Sequence, residues 1–315
     1  MILINGEPLS ITKFPNKEVL LHTENLVNHL GKDLTLEFKF FDNEELLTFL
    51  FILSHFDMYR VMNKISCRFN LIIYYMPYSR MDRSQNNNCF TLNHIISMIS
   101  KNLNDEDQIN ILEPHSDVTI SLFREFIYGY NESKMSINRV NVITPLMNHI
   151  LAENTEIDMI CYPDKGAKQR FQDDSINLPV VFCNKVRDFN TGEIKGLELD
   201  GDTSVQGKNI LILDDLSSKG GTFYHTANKL KENGAKNIYL AVCHMEQTIT
   251  RGNLLNRRLN WDEDEPSVIK HIYCLDTMLT EIESLNIMES YSNITIYDSR
   301  LFLYNKQFNV VKEII

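Results

Sequence analysis

The stretch Asn209-Ile-Leu-Ile-Leu-Asp214-Asp215-Leu216-Ser217-Ser218-Lys219-Gly220-Gly221-Thr222 most narrows what this chain can fold into. Its apolar run, Ile210–Leu213, does not alternate with polar residues. A strand of that kind is buried on both faces, which calls for a parallel sheet covered by helices. Two carboxylates follow, then small residues, then a helix-like run that stops at Gly234. Gly220 and Gly221 carry no Cβ, so the backbone can turn tightly and approach a ligand. Thr222 is expected to cap a helix over Phe223–Asn233. Such a loop aims several N–H groups at one point, which suits a phosphate. Asp214 and Asp215 can accept hydrogen bonds from ribose hydroxyls. Phosphate donors beside sugar acceptors describe a site for a phosphorylated ribose. An ordinary strand-to-helix turn with solvated acids uses the same letters, so the motif needs support from the rest of the chain.

Apolar strand-like runs alternate with helical ones elsewhere. Strands are expected at Leu71–Met76, Ile109–Leu112, Met159–Tyr162, Val180–Cys183, Asn209–Leu213, Asn237–His244, His271–Leu275 and Ile294–Tyr297. Helices are expected at Glu44–Lys64, Leu92–Lys101, Ser116–Tyr128, Pro145–Ala152, Thr222–Asn233 and Thr277–Asn286. The alternation predicts an α/β chain whose parallel sheets are covered on both faces. Ligands in such sheets bind beyond the carboxyl ends of the strands. At 315 residues, two domains are expected. Their boundary is placed near Asn141–Pro145, giving domains 1–142 and 143–315.

Composition serves mainly to exclude. A net charge of −11 argues against a general nucleic-acid binder. Six cysteines lie far apart with no CxxC, and those at 161, 183, 243 and 274 fall in strand-like runs as buried thiols. That pattern suits a reducing compartment. Met1-Ile-Leu-Ile-Asn-Gly does not read as a signal peptide, and no apolar run reaches the ~20 residues that span a bilayer. A cytoplasmic chain without membrane partners is expected. Asn86-Asn-Asn reads as a loop tip and Asp262-Glu-Asp-Glu-Pro as a solvated acidic loop.

The Asn209–Thr222 segment resembles the ribose-binding loop of type I phosphoribosyltransferases and of ribose-phosphate pyrophosphokinases (PRPP synthetases). Further stretches, in the right order, single out the pyrophosphokinases. Pro77-Tyr78-Ser79-Arg80-Met81-Asp82-Arg83 is similar to that family's Pro-Tyr-Ala-Arg-Gln-Asp-Arg, which holds ATP. Glu113-Pro114-His115 resembles its Asp-Leu-His, Pro163-Asp164-Lys165-Gly166-Ala167 its Pro-Asp-x-Gly-Gly, and Asn184-Lys185-Val186-Arg187 its Asp-Lys-Arg-Arg. Cys274-Leu275-Asp276-Thr277 resembles a Thr-Asp-Thr near the family's end, and Phe41-Asp42-Asn43-Glu44-Glu45 its adenine-contact Phe-Ser-Asp-Gly-Glu. After that last stretch the family has a strand and a loop, whereas here a helical run starts at once.

The resemblance implies two phosphoribosyltransferase-like (type I) domains, each a mainly parallel sheet flanked by helices, with the active site between them and the last helix packing back on the first domain. It implies a homo-oligomer that moves the β,γ-diphosphoryl group of ATP onto the anomeric hydroxyl of a 5′-phosphorylated ribose with Mg²⁺. Carried residue by residue, it implies ATP contacts at Phe41, Asn43, Glu45, Arg80, Asp82 and Arg83. Lys185, Arg187 and His115 become catalytic, and Asp164 and His115 stand near the metal. Magnesium prefers oxygen, so Asp164 is the better ligand. Asp214, Asp215, Ser217, Ser218, Lys219, Gly220, Gly221 and Thr222 take the ribose and its phosphate. The family's loop reads Asp-Asp-x-x-Asp-Thr-Gly-Gly-Thr. Here Ser218 replaces an acid and Lys219 a threonine, so the local formal charge rises by two. That favours a larger 5′ anion, such as the diphosphate of ADP-ribose in NAD metabolism, over ribose 5-phosphate. A non-catalytic regulatory homologue and a phosphoribosyltransferase are the competing readings.

Overall fold

In the computed structural model of the chain, the described residues are 1–23, 33–84, 87–128, 135–172, 177–187, 194–201, 203–257, 267–300 and 303; at 128, 185–187 and 194–196 the backbone alone is described. They fall into two units, Met1–Asn141 and Val142–Ile315. The expected acidic loop at 262–266, residue 86 of the expected loop tip, and the chain after 303, where the last helix was expected to pack back, lie outside the described residues.

In the first unit, β1 (Ile2–Ile4) and β2 (Glu7–Pro8) form an antiparallel edge, and β3 (Ile11–Lys13) with β4 (Val19–Leu21) a separate hairpin. Then β5 (Leu34–Phe38), α1 (Asn43–Asn63), β6 (Phe69–Ile73), α2 (Thr91–Ser100), β7 (Gln108–Leu112), α3 (Asp117–Tyr128) and β8 (Ser136–Val140) follow in turn. Strands β5 to β8 pair parallel in chain order, and β1 joins β5 antiparallel. Asp42 starts α1 by accepting from Glu45 N at 2.8 Å. Lys64 ends it in the left-handed region at φ 54. Phe69, Leu71, Ile73, Ile109 and Ile111 share one core with Phe49, Ile52 and Phe56 of α1 and Leu92, Ile96 and Ile99 of α2. The alternate positions of the sheet depart from the expected apolar pattern. Asn138 Nδ2 donates to Asn110 Oδ1 at 3.0 Å, and Asn110 Nδ2 to Asn70 Oδ1 at 2.8 Å, forming a half-buried amide ladder.

The second unit runs α4 (Ile143–Glu153), β9 (Met159–Tyr162), α5 (Lys165–Phe171), β10 (Val180–Arg187), β11 (Ile194–Asp200), β12 (Asn209–Ser217), α6 (Gly221–Glu232), β13 (Asn237–Met245), a 3-10 helix (Gln247–Arg251), β14 (His271–Leu275), α7 (Glu281–Ser290) and β15 (Ile294–Tyr297). Its seven strands lie in the order β11-β10-β9-β12-β13-β14-β15, all parallel except β11. The chain moves one way from β9 to β10 and the other way from β12 to β13. Right-handed crossovers therefore place α5 and α6 on opposite faces. Met159, Cys161, Ile210, Ile212, Ile238 and Leu240 pack with Phe223, Ala227 and Leu230 of α6. The intervening Ile160, Leu211, Leu213 and Ala241 are also buried, so these strands are covered on both faces as their composition requires.

Most helix starts lie within two residues of expectation, and two depart in their caps. Thr222 does not cap α6: the cap is Gly220, at φ 80, with no side-chain hydrogen bond, and Thr222 lies inside the first turn. Helix α7 begins at Glu281 rather than Thr277, because Thr280 and Glu283 form a reciprocal capping box. Five of the six cysteines are buried thiols and Cys89 is exposed. Among the described residues no helix is long and apolar enough to cross a membrane.

Candidate active site

The direction of the chain reverses between β9 and β12, and the carboxyl ends of adjacent strands at such a point form the usual ligand crevice. Four of the expected segments of the second unit lie at these ends. Pro163-Asp164 leaves β9, Asp214 to Gly221 leaves β12, Lys185 and Arg187 close β10, and Asp276-Thr277 leaves β14.

Gly220 adopts φ 80, and a Cβ there would stand 2.3 Å from Leu254 Cδ1, so the loop turn needs glycine for both conformation and space. No side chain caps α6, and Lys219, Gly221 and Thr222 are exposed beside its first turn. An uncapped helix start with an adjacent lysine is a cation-like corner suited to a phosphate. Asp215 is buried and lies 3.1 Å from Arg170 of α5. That ion pair ties the strand end to the helix across the switch point. Asp214 is half-buried, and its Oδ1 accepts from Asp215 N at 2.9 Å. Burial, followed by the neighbouring Asp215 charge, pushes the Asp214 carboxyl well above the ordinary carboxylate range.

Asp164 caps α5, its Oδ1 accepting from Ala167 N at 3.0 Å. Strand β10 continues past the expected Cys183 and carries Lys185 and Arg187 opposite Leu197 and Ile194 of β11. The register shifts between Val186 and Arg187, so simple alternation does not relate these two positions. Their side chains lie outside the described residues. In the tail segment Asp276 accepts from Ser299 N at 2.9 Å and from Ser299 Oγ, and Thr277 Oγ1 lies 2.8 Å from buried His244 Nδ1. These contacts brace the ends of β13 and β14.

Sequence reading missed Glu246, Thr248 and Gly252. Glu246 Oε2 accepts from Ser218 Oγ at 2.7 Å and from Thr248 Oγ1 at 2.8 Å. A Cβ at Gly252 would lie 1.9 Å from the Lys219 carbonyl oxygen. The loop's gain of two formal charges over the family pattern therefore stands beside one carboxylate, Glu246, placed just past the end of β13. Nothing near Glu246 in the sequence marks it, because the contact depends on the pairing of Ser217 with Met245.

In the first unit the expected ATP segments follow adjacent strands β5 and β6, and Glu113-Pro114-His115 follows the next strand, β7. Tyr78 OH donates to Asn43 Oδ1 at 2.7 Å, joining the Phe41–Glu45 and Pro77–Arg83 segments. Phe41 is half-buried and Glu45 Oε2 lies 3.0 Å from the Met1 nitrogen. Arg80 and Arg83 are exposed, and Asp82 is buried with Arg83 Nε at 3.0 Å. Tyr78 at φ 61 and Glu113 at φ 35 hold left-handed conformations that non-glycine residues avoid. Such strain concentrates at functional segments. Glu113 is held by Arg139 at 3.0 Å, and the half-buried His115 stands two residues on.

Among the described residues no three His, Cys, Asp or Glu side chains group to hold a metal ion. A magnesium that arrives on phosphates and keeps several waters needs only one or two carboxylates, and Asp164, just past the end of β9, is of that donor type.

No family model matches the chain. A ribose-phosphate pyrophosphokinase of Saccharolobus solfataricus is 27% identical over 183 residues, 55% of this chain and 56% of that protein. One from Thermoplasma volcanium is 26% identical over 236 residues, 74% of this chain and 73% of that protein. The match thus spans little more than half of the first of these relatives and about three quarters of the second. The phosphoribosylpyrophosphate synthetase of Mycobacterium smegmatis has the same fold, with a TM-score of 0.68 at 18% identity, over 95% of this chain and 88% of that one. In sequence this chain is similar to ribose-phosphate pyrophosphokinases, and in fold to a phosphoribosylpyrophosphate synthetase.

Proposed function

We propose that the chain is a Mg²⁺-dependent diphosphotransferase that moves the β,γ-diphosphoryl group of ATP to the anomeric hydroxyl of a 5′-phosphorylated ribose, releasing AMP. The observation that carries this reading is the uncapped, glycine-turned start of α6 beside Asp214, Asp215 and Lys219. Its first-turn N–H groups and Lys219 take the 5′-phosphate, and Asp214 accepts from the ribose hydroxyls. Asp215, paired with Arg170, keeps the strand end in place. Arg80 and Arg83 bind triphosphate oxygens in the forked manner of guanidinium groups. Phe41, Asn43, Glu45 and Asp82 complete the nucleotide contacts, and His115 stands by the transferred phosphates. Lys185 and Arg187 stabilise charge on the transferring group, since such transfers depend on positioning and charge neutralisation. Magnesium, held by Asp164 and the phosphates, neutralises phosphate charge when bound.

The names of the relatives point to ribose 5-phosphate as acceptor. Exposed Lys219 in the loop points to a larger 5′ anion, and we favour ADP-ribose. Incubation with ATP, Mg²⁺ and each acceptor, followed by AMP release, tests both. Lys219→Thr should lower kcat/KM for ADP-ribose more than for ribose 5-phosphate, by about ten- to a hundred-fold, the worth of a charge-assisted hydrogen bond. A wild type that prefers ribose 5-phosphate, with a Lys219→Thr variant of unchanged ratio, refutes the extended acceptor. Absence of AMP release with either acceptor refutes the transferase.

A further inference from the structure

A carboxylate beside an anion-binding loop works against the ligand unless it does something else. Glu246 does not point into open solvent. Its Oε2 accepts from Ser218 Oγ at 2.7 Å and Thr248 Oγ1 at 2.8 Å, and those two hydroxyls lie 3.2 Å apart. Its N–H donates to Ser217 O at 2.9 Å. Ser217 and Ser218 are thus tied, by backbone and side chain, to the residue just past the end of β13. On the far side of Lys219 the loop meets Gly252, whose missing Cβ lets the Lys219 carbonyl approach. The Ser218–Lys219 peptide is clamped between these contacts, just before a glycine pair that would otherwise leave it free. The family's loop has an acid at position 218; here position 218 is a serine, gripped by the acid that follows β13.

We propose that Glu246 is a positioning residue of the anion-binding loop, which through Ser218 fixes the Ser218–Lys219 backbone so that Lys219 and the start of α6 face the 5′-phosphate of the acceptor. This rests on the reading of that loop as the 5′-phosphate site. The agent is the hydrogen-bonded brace rather than the negative charge. Glutamine, whose amide oxygen still accepts from Ser218, should therefore serve, whereas alanine should not. Aspartate at 218 would face the Glu246 carboxylate, so Ser218→Asp should weaken acceptor binding, and Glu246→Gln in the same chain should relieve it. Residues in contact commonly show such non-additivity.

The test is isothermal titration of the full chain with ribose 5-phosphate and with ADP-ribose, in the wild type, Glu246→Ala, Glu246→Gln, Ser218→Asp and the Ser218→Asp/Glu246→Gln double variant, with KM for ATP and thermal melting alongside. Loss of a charged hydrogen bond predicts that Glu246→Ala weakens binding of the preferred acceptor about ten-fold. Its KM for ATP should be unchanged, Glu246→Gln should stay within about three-fold of wild type, and the double variant should bind better than Ser218→Asp. Unchanged acceptor binding in Glu246→Ala overturns the assignment. So does equal damage to ATP and acceptor, or a Glu246→Gln variant as weak as Glu246→Ala. A wild type that binds neither acceptor overturns the 5′-phosphate site itself, and the role of Glu246 falls with it.

Discussion

Gly252→Ala should damage acceptor handling far more than it damages the fold. Gly252 closes the 3-10 helix at φ −104 and ψ −170, an extended conformation open to any residue. Space is the obstacle. An added Cβ would stand 1.9 Å from the Lys219 carbonyl oxygen and 3.0 Å from its carbonyl carbon. Carbon and oxygen rest comfortably at about 3.3–3.6 Å, so the loop and the 3-10 helix must part by roughly 1.5 Å. Both partners are backbone, and no rotamer change relieves the contact. Overpacking of this kind costs about 1–3 kcal/mol. In a unit of this size, ~2 kcal/mol lowers Tm by about 4–8 °C. The functional cost is larger, because moving a binding group by about 1 Å can lower rates about 10²-fold.

The expected result is a fall of about 100-fold in acceptor kcat/KM with KM for ATP nearly unchanged, read by AMP release at varied acceptor. Gly207→Ala supplies the control. Gly207 has φ 71, but nothing lies within 4 Å of the Cβ it lacks. That variant bears backbone strain of about 1–2 kcal/mol with no push on the loop. It should lose Tm comparably and keep acceptor kcat/KM. If Gly252→Ala keeps wild-type acceptor kinetics, or merely matches Gly207→Ala, the loop does not hold the acceptor.

Three further outcomes follow from the site. Lys185→Ala or Arg187→Ala should lower kcat by about 10²–10³ with little change in ATP affinity, because charge develops mainly in the transition state; single-turnover rates beside ATP titrations check this. Asp164→Asn keeps a good helix cap but loses a charged oxygen, so it should raise the magnesium requirement at nearly unchanged Tm. Asp164→Ala should also lose about 1 kcal/mol of stability, visible by melting. Asp214 is harder to ionise folded than unfolded, so its contribution to stability is full below the ordinary aspartate value near pH ~4 and lost as pH rises through the raised folded value. Asp214→Asn should therefore raise the Tm of the unliganded chain at pH 7, lose that advantage below about pH 4, and weaken ribose binding; an unchanged Tm difference across that range would contradict the cause assigned to the shift.

The second unit was largely legible because its strands are unbroken apolar runs. Met159–Tyr162, His271–Leu275 and Ile294–Tyr297 have the expected ends. The first unit was harder to read. Leu34–Phe38 and Ser136–Val140 mix apolar and polar residues, since alternate positions of that sheet carry polar side chains such as the amides of Asn70, Asn110 and Asn138. Short edge strands such as Glu7–Pro8 carry almost no periodic signal. Helix α5 has only seven residues, too few for a period, yet its start was marked by Asp164. The capping box at Thr280 and Glu283 was readable from spacing alone and would have placed α7 correctly. At the site, glycines and acids close in sequence could be found by motif. Glu246 and Gly252 could not, because only the parallel pairing of β12 with β13 brings them to the loop.

That pairing also changes how acceptor preference should be argued. Counted along the loop alone, Ser218 and Lys219 make the site two charges more positive than the family's, and Ser218→Asp looks like a simple reversal. With Glu246 2.7 Å from Ser218 Oγ, the positive charge of the loop is partly offset. The same substitution would instead press two carboxylates together, which costs geometry as well as charge. What remains distinctive is Lys219, an exposed cation whose backbone is clamped on both sides. A held backbone with a free ammonium group suits an anion that extends past the first phosphate, since the α6 N–H groups can take the inner group while a long lysine stem reaches the outer one. Preference for a 5′-diphosphate then resides in one side chain and its support, not in the net charge of the loop. For that reason Lys219→Thr should change the ratio between acceptors, whereas Glu246→Ala should weaken both.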